Sequence, residues 1–348
     1  MYRVLLVFFF VSFAVSASEN KPPLWAMYYG WYEVPSEQRA KHNYWTDSTD
    51  ARKPKSRAEP LIGCYSSDDP AVVRWHIQLA QAAGIEAFLV SWWDSANVSG
   101  RAFQEVILPV AAQEHFKVAL CNELAQFHSD LKTLTRRTAG VLKKSAKSPA
   151  YLRIEGKPVV YLYQIPFNPK LTIAAFDELV RGVEEEVGPV YWIMDKISNP
   201  RDSGLTFPSE WLSKAEISMF GFYGTFSVKR VWKYKELAED YLRLAGQAHS
   251  AGKKVFLPVH PGHDNSGFRP GDHFIIPRQD GATLRGYLRA ADEAKADVVL
   301  VTSFNEWPET TVVEPSSSWR DPYVYLKVLA EWKGVEFATP PLPGRKDR

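Results

Sequence analysis

The chain has 348 residues and a formal net charge of +2, with 45% hydrophobic and 24% charged residues. This is an ordinary globular composition with ample length for a large core. The nearly balanced charge argues against nucleic acid or a polybasic contact with membranes. The 12 tryptophans are numerous for this length. Most of them are explained by core packing, although their flat rings also suit stacking on sugars.

The first 17 residues have the features of a secretory signal peptide. Arg3 precedes an apolar stretch, and the small residues Val15 and Ala17 precede a suitable cleavage point. The stretch is too short for a comfortable transmembrane helix, although an uncleaved anchor is an alternative. We expect a secreted or periplasmic protein, processed near Ala17, with no stable membrane insertion and a monomeric state.

Strand-like and helix-like stretches alternate along the remaining chain, without repeats or a clear linker. The predicted strands are short and almost continuously apolar, as is typical of a parallel sheet covered by helices. In chain order they are 24–29, 85–90, 116–121, 158–163, 189–194, 217–222, 254–259 and 298–301. The predicted helices cover 70–83, 103–114, a stretch from Leu124 to Leu134, 173–187, 209–215, 229–250, 282–294 and 323–332.

Eight strand-then-helix units in one series favour an α/β fold, a closed (β/α)8 TIM barrel. We expect one domain over residues 18–348, with a long loop after strand 1. An open doubly wound sheet is the alternative. It usually carries a glycine-rich phosphate turn after its first strand, whereas Tyr29 to Tyr32 include a single glycine.

Barrel enzymes carry their active sites at the C-terminal ends of the strands. The side chains predicted there are rich in tryptophan, tyrosine and acids, which suits binding and cleaving a carbohydrate. They are Tyr29–Glu33, Ser91–Asp94, Asn122, Glu123, Gln164, Asp195, Tyr223, His260–Asp264 and Asn305–Glu309.

Three glutamates at these strand ends compete for the chemistry. Glu306 and Glu309 flank Trp307-Pro308 after the last strand, and Glu123 ends the third. Glycoside hydrolysis needs one carboxyl group to protonate the leaving oxygen and a second group at the anomeric side. A conventional retaining enzyme would pair Glu123 with Glu306 at a separation of about 5 Å. The residues alone leave the choice open.

Several stretches together resemble the endo-α-mannosidase family, glycoside hydrolase family 99, in family order over nearly the whole mature chain. They are Tyr28–Tyr32, Ile62–Pro70, Gly84–Trp93, Phe220–Tyr223, Pro261–Asp264 with Arg269 and Arg278, and Thr302–Glu309 with Glu314. The resemblance implies an exported retaining α-glycosidase that is endo-acting on α-mannose-containing glycans. Its partner would be an oligosaccharide or polysaccharide, and it would use no cofactor.

The resemblance also implies separate roles for two acids. Glu306 would take the proton of the sugar's 2-hydroxyl, so that O2 attacks the anomeric carbon and forms an anhydro-sugar. Glu309 would be the general acid and then the base that activates water. The family pattern here is Glu-Trp-His-Glu followed by Gly, whereas this chain has Pro308 and Thr310 at the two departures. Pro308 removes a donor and stiffens the turn between the acids.

The remaining candidates are substrate contacts. Aromatic walls of the subsites are expected at Tyr29, Trp31, Trp92, Trp93 and Tyr223. Polar or flanking contacts are expected at His260, Asp264, Arg269, Asn305 and Trp307, while Arg278 would hold either a loop or a sugar. His260 and His263 superficially resemble a metal cluster. The Pro-Gly between them is incompatible with helical zinc-ligand geometry, so no metal is expected.

Two alternatives to an active hydrolase remain, and one covalent feature is open. The first is an inactive relative that binds sugar without cleaving it. The second is a sugar transferase on the same barrel, which should carry a diphosphate-binding cluster that the sequence lacks. Cys64 and Cys121 could pair after export or remain two buried thiols.

Overall fold

The structure, a computed structural model, describes residues 21–34, 44–46, 55–125, 130–163, 171–197, 204–224 and 233–344. The predicted signal segment, Met1 to Ala17, and the predicted site residue Gln164 lie outside the described residues. Among the described residues, no helix is long and apolar enough to cross a membrane.

Within the described residues, eight parallel strands form a closed barrel. We number them β1 Leu24–Tyr29, β2 Ala87–Trp92, β3 Lys117–Asn122, β4 Lys157–Leu162, β5 Tyr191–Asp195, β6 Ile217–Gly221, β7 Lys254–Val259 and β8 Val298–Val301. Each pairs with its neighbours in chain order. The ring closes where Leu24 of β1 pairs with Val299 of β8. The predicted (β/α)8 barrel is therefore confirmed.

Helices follow the strands and cover the outside of the barrel. They are α1 Pro70–Ala82, α2 Val98–Arg101, α3 Leu108–Gln113, α4 Leu131–Ser145, α5 Ile173–Val187, α6 Ser209–Leu212, α7 Tyr234–Ser250, α8 Ala282–Glu293 and α9 Val324–Lys333. A π-helical turn, Ala102–Ile107, joins α2 to α3. Asp69 caps α1 by accepting a hydrogen bond from the backbone of Ala71 at 2.9 Å, as the sequence predicts.

One predicted helix begins at the wrong place. Leu124 lies in a short 3₁₀ turn, Glu123–Ala125, and not on the helix predicted to continue to Leu134. Helix α4 begins at Leu131 because the side chain of Asp130 accepts a hydrogen bond from the backbone of Thr133 at 2.9 Å. Such an N-cap starts a helix wherever its acceptor meets the first free N–H groups.

Side chains alternate along each strand and therefore pack in two hydrophobic cores, one inside the barrel and one between the barrel and its helices. On β2, Ala87 and Leu89 point into the barrel, while Phe88, Val90 and Trp92 point outward to the helices. This period of two is a property of every β-strand. An outward side chain near a strand end therefore packs beneath helices, and an inward one can reach the mouth of the barrel.

The two cysteines do not form a disulfide. Cys121 is buried in the barrel core, and Cys64 is exposed on the loop after β1. The disulfide alternative is therefore ruled out, and the alternative of two buried thiols does not hold either, because only Cys121 is buried.

Candidate active site

The loop of residues 302–314, which we call the catalytic loop, folds back on itself after β8. Ser303 donates its backbone N–H to Thr311 at 3.0 Å, and Glu314 donates its own to Phe304 at 2.9 Å. Thr310 donates its N–H to the carbonyl oxygen of Trp307 at 2.9 Å, which closes a tight turn. Pro308 occupies the second position of that turn, where proline is favoured.

The two departures from the family pattern fit this turn differently. Pro308 is buried, and its ring restricts φ to the range that the second position of a turn favours. Thr310 has a φ of 51°, in the left-handed region that glycine adopts without steric cost and that is rare for a β-branched residue. Its hydroxyl donates to the carbonyl oxygen of Trp307 at 3.3 Å, a local contact that glycine could not make.

Glu306 and Glu309 are brought together at the mouth of the barrel. Burial and the nearby charge of Glu309 hold the pKa of Glu306 well above its ordinary value. Burial also raises the pKa of Glu309 to about 7, against the opposing effects of the Arg269 charge and a hydrogen bond from Tyr223. Among the described residues, Oε2 of each carboxyl is buried without a hydrogen-bond partner. These are the atoms that a ligand in the mouth could meet.

A chain of hydroxyl groups leads to Glu309. The hydroxyl of Tyr29 donates to that of Tyr223 at 2.7 Å. The Tyr223 hydroxyl in turn donates to the Glu309 carboxylate. This hydrogen bond holds one carboxylate oxygen of Glu309, while the other oxygen is available to a ligand in the mouth of the barrel.

Glu123 is a third buried acid in the mouth. It accepts a hydrogen bond from Oγ of Ser91 at 2.8 Å, and Ser91 accepts one from the indole of Trp93 at 3.1 Å. Burial raises the pKa of Glu123 to about 8, and the charges of Asp195 and Glu309 raise it further, whereas the Ser91 hydrogen bond lowers it. Asp195 itself accepts from the hydroxyl of Tyr161 at 2.8 Å.

The pKa of Glu123 predicts a pH-dependent stability. Its carboxyl holds a proton in the folded chain up to a pH of about 8 but releases it near 4.5 when unfolded. The stabilisation is therefore present at low pH and is lost as the pH rises from about 4.5 to about 8. Glu123→Gln should reduce the loss of unfolding free energy between pH 5 and pH 8 by roughly 1–3 kcal/mol.

Denaturant unfolding at the two pH values measures this difference. Glu184→Gln is the control, because Glu184 lies in α5, far from the three acids. An unchanged pH dependence in Glu123→Gln would contradict the proton assigned to Glu123.

Aromatic rings line one side of the mouth. Trp31 packs against Tyr29 with ring centres 4.4 Å apart and stacks on Tyr44 at 4.6 Å. Trp93 meets Trp31 edge-on at 5.9 Å. The structure thus brings together the predicted wall residues Tyr29, Trp31, Trp93 and Tyr223. Trp31 and Trp93 are only partly buried, so their rings are open to a ligand.

Two predicted substrate contacts are wrong because their side chains are sealed in packing. Trp92 is fully buried in the helix-facing core. Strand β2 extends to Trp92, so strand alternation turns this ring outward. His260 is also fully buried, with its ring centre 4.1 Å from that of Tyr287 on α8.

Asn305 and Trp307 are likewise fully buried, and they support the site rather than contact a ligand. The Asn305 amide accepts from the backbone N–H of Tyr29 at 2.7 Å and donates to its carbonyl oxygen at 2.9 Å. The Trp307 indole N–H donates to Glu314 at 2.8 Å. The two bonds of Asn305 tie the catalytic loop to the end of β1.

The loop after β7 supplies the flanking polar residues. Asp264 is partly buried and donates its backbone N–H to the carbonyl oxygen of Glu309 at 2.9 Å. Arg269 is exposed, and its positive charge lowers the pKa of Glu309. Both residues therefore lie beside the acids. Arg278 holds the loop, since its guanidinium donates to the carbonyl oxygens of Thr310 and Val312.

The site also includes supporting residues to which the sequence assigns no role. Tyr65, His76 and Glu314 form a buried cluster behind Trp307. Glu314 belongs to a stretch that carries the resemblance, but His76 lies on an apolar helix face and carries no signal. In the part of the chain that the structure describes, no group of three or more His, Cys, Asp or Glu could hold a metal ion.

A (β/α)8 barrel with neighbouring carboxyl groups and an aromatic wall at the C-terminal ends of its strands has the architecture of a glycoside hydrolase. Comparison with known proteins agrees. Residues 21–333 match the model of Glycosyl hydrolase family 99, and the chain belongs to this family. The protein is therefore a glycoside hydrolase.

Relatives and solved structures place this assignment in context. The chain is similar to the glycoprotein endo-alpha-1,2-mannosidases of Rattus norvegicus and Mus musculus, at 22% and 24% identity over 90% of this chain and 76% of each relative. The GH99 endo-alpha-mannosidase structure from Bacteroides thetaiotaomicron has 20% identity and a TM-score of 0.72. That similarity covers 89% of this chain and 96% of the bacterial chain, and it shows a shared fold.

Proposed function

We propose that the protein is a retaining α-glycosidase that is endo-acting on α-mannose-containing glycans. Glu306 acts as the base on the sugar's 2-hydroxyl, and Glu309 acts as the acid and then the base. The mannose assignment draws on the family and on the endo-alpha-1,2-mannosidases that the chain resembles. The observation that carries the mechanism is the pair of Glu306 and Glu309 at the barrel mouth, because each carboxyl offers an oxygen without a partner in the described residues.

In the first step the Glu306 carboxylate accepts the proton of the 2-hydroxyl, and O2 attacks the anomeric carbon. The bond from that carbon to the leaving oxygen breaks, and Glu309 gives its proton to that oxygen. In the second step Glu309 takes a proton from water, whose oxygen attacks the anomeric carbon. The bond to O2 breaks, and Glu306 returns its proton. Two inversions give net retention without a protein nucleophile.

The pair holds one proton that this scheme can use. Two neighbouring buried carboxylates resist being ionised together, so the pair keeps one proton into the neutral range. In the free protein Tyr223 and Arg269 favour the carboxylate of Glu309, so the proton rests on Glu306 and must pass to Glu309 when the sugar binds, before Glu306 can act as the base. The hydrogen bond from Tyr223 and the charge of Arg269 both act on Glu309. They stabilise its carboxylate in the second step, after it has given up its proton.

The activity test is incubation of the purified protein with defined α-mannosides of different linkage and length. Mass spectrometry of the products should show cleavage at an internal α-mannosidic bond. If no linkage yields new reducing ends, the hydrolase proposal fails, and the inactive sugar-binding alternative gains support.

The pair also predicts a bell-shaped pH profile of kcat/KM. The rate should fall at high pH, where the pair loses its last proton and no acid remains, and burial with the charge of Glu309 places that loss well above the ordinary pKa of a glutamate. It should fall again as the pH drops below about 7, the pKa of Glu309, because the pair then takes up its second proton and no base remains. Glu309→Gln should remove the alkaline limb and keep the acid limb. A profile in which both limbs survive this substitution would contradict the role of Glu309.

A conventional pair of Glu123 and Glu306 is the second candidate. The raised pKa and deep burial of Glu123 in the same mouth favour it. In that mechanism one of the two would bond covalently to the sugar. Glu123→Gln separates the candidates, because it should abolish cleavage only if Glu123 belongs to the reacting pair.

The mature protein is further proposed to be exported as a monomer after cleavage near Ala17. The basic start and the apolar run of residues 1–17 support export. N-terminal sequencing of protein recovered outside the cytoplasm should begin close to residue 18. Recovery of an intact Met1 would contradict cleavage, and size-exclusion chromatography with light scattering tests the oligomeric state.

A further inference from the structure

A buried polar cluster lies directly behind the catalytic loop. It consists of Tyr28, Tyr65, His76, Trp307 and Glu314, which we call the Glu314 cluster. Oε2 of Glu314 accepts from the Tyr65 hydroxyl and from the Trp307 indole N–H, both at 2.8 Å. Oε1 lies 3.2 Å from Nε2 of His76, within ion-pair distance but not aligned as a hydrogen bond. Nδ1 of His76 lies 2.9 Å from the Tyr28 hydroxyl.

This cluster joins distant parts of the chain in a dry environment. Tyr28 lies on β1, His76 on α1, and Glu314 at the end of the catalytic loop. The side chains of His76 and Glu314 have no exposed surface. A carboxyl group that is fully buried requires partners, and Glu314 has two hydrogen bonds at Oε2 and the close contact with His76 at Oε1, which together hold it in one arrangement.

The cluster reaches the acids through Trp307. This residue stands between Glu306 and Glu309, and its indole N–H is held by Glu314. The Trp307 backbone is held as well, since its N–H donates to the Tyr32 hydroxyl at 3.1 Å and its carbonyl oxygen accepts from Thr310 at 2.9 Å. With ring and backbone fixed, the directions in which the two acids leave the chain are fixed too.

We propose that Glu314, itself braced by His76, is a positioning residue that acts through Trp307 to hold Glu306 and Glu309 in their reactive arrangement. The role rests on the proposed function of the two acids. Glu314 does not face the mouth and does not touch a sugar. Its loss should therefore slow the chemical step without weakening substrate binding.

The chain offers a closely matched control for this proposal. Glu184 on α5 also accepts an indole N–H, from Trp192 at 3.1 Å, together with the backbone N–H of Val190 at 3.0 Å. This second glutamate–indole pair lies near the start of β5, at the end of the barrel opposite to the acids. Glu184→Gln thus makes the same chemical change in a comparable pair that has no path to the catalytic loop.

Glu314→Gln should lower kcat by roughly 10–100-fold, because small displacements of reacting groups carry penalties of this size. KM should stay within about twofold, as expected when a transition-state interaction is lost. Glu184→Gln should change kcat by less than about twofold. If Glu314→Gln lowers stability as Glu184→Gln does but leaves kcat unchanged, the cluster is structural only, and the proposal is overturned.

Trp307→Phe tests the route from Glu314 to the acids. It removes the indole N–H that Glu314 accepts while keeping an aromatic ring. The double variant with Glu314→Gln should be no slower than the slower single variant, because Trp307→Phe removes the donor of the hydrogen bond whose charged acceptor Glu314→Gln replaces with a neutral amide. Losses that multiply would show that Glu314 acts by another route.

A measurement without substrate keeps the proposal testable if the mannoside assignment fails. Carbon-13 NMR titration of labelled glutamate carboxyls reports the Glu306/Glu309 pair, with assignments from Glu306→Gln and Glu309→Gln. Glu314→Gln should move the apparent pKa values of the pair toward that of an exposed glutamate, while Glu184→Gln should not.

An unchanged titration in Glu314→Gln would overturn the positioning role, even with an active enzyme. If the wild-type chain cleaves no α-mannoside, the proposed function is contradicted. The titration would still decide whether Glu314 positions the two acids.

Discussion

Glu306→Gln should lower kcat for α-mannoside cleavage by roughly 10²–10⁴-fold, the usual contribution of a general base. Glutamine has nearly the same shape but cannot accept the proton of the 2-hydroxyl. O2 then remains a poor nucleophile whatever the leaving group, so activated substrates should not rescue the variant. Initial rates on a natural oligosaccharide and on a glycosyl fluoride measure both effects.

The control for Glu306→Gln is Glu123→Gln, a second glutamate buried in the same mouth. This variant should retain a rate within roughly tenfold of the unmodified chain, because the proposed mechanism gives Glu123 no part in the proton transfers. If Glu123→Gln alone abolishes cleavage while Glu306→Gln remains active, the assignment of the base is wrong.

Glu309→Gln should also lower the rate on a natural oligosaccharide by roughly 10²–10⁴-fold. The sugar oxygen that leaves needs a proton, and glutamine cannot supply one. A fluoride leaving group needs far less assistance, so the first step on a glycosyl fluoride should be much less affected. Water activation in the second step would then limit turnover.

A pre-steady-state burst of fluoride from Glu309→Gln, followed by slow turnover, is the expected signature. Equal losses on the natural substrate and on the fluoride, without a burst, would show that Glu309 does not act as the acid of the first step. The pH profile offers independent support through the missing alkaline limb.

The sequence predicts the barrel well because its strands are signalled locally. All eight predicted strands overlap the observed ones, with ends that agree within two residues. Short apolar runs followed by amphipathic helices leave few other architectures. The start of α4 is the main error, since the apolar spacing of Leu124, Leu131 and Leu134 continues past the Asp130 cap that begins the helix.

The candidate site is predicted in part. Residues at strand ends, such as Tyr29, Tyr223 and Glu309, do converge, because the ends of parallel strands meet at one rim. Trp92 does not join them, since β2 runs two residues further than predicted and alternation turns the ring outward. A difference of two residues at a strand end decides whether a tryptophan faces a ligand or a helix.

The supporting shell of the site could not be predicted. His76 and Glu314 are separated by most of the chain, and neither lies in a pattern that indicates the other. Their contact arises only when α1 packs beside the catalytic loop. Long-range side-chain pairing of this kind depends on the packed tertiary structure, which local propensity and periodicity do not contain.

The central claim is that the sugar's own O2, and not a protein carboxylate, attacks the anomeric carbon. The most direct test is intact-protein mass spectrometry after incubation with a 2-deoxy-2-fluoro α-mannobiosyl fluoride, beside its 2-hydroxyl parent. We predict that the parent is hydrolysed, while the 2-fluoro compound neither reacts nor changes the protein mass. A stable glycosyl adduct on Glu306 or Glu123 would contradict the account.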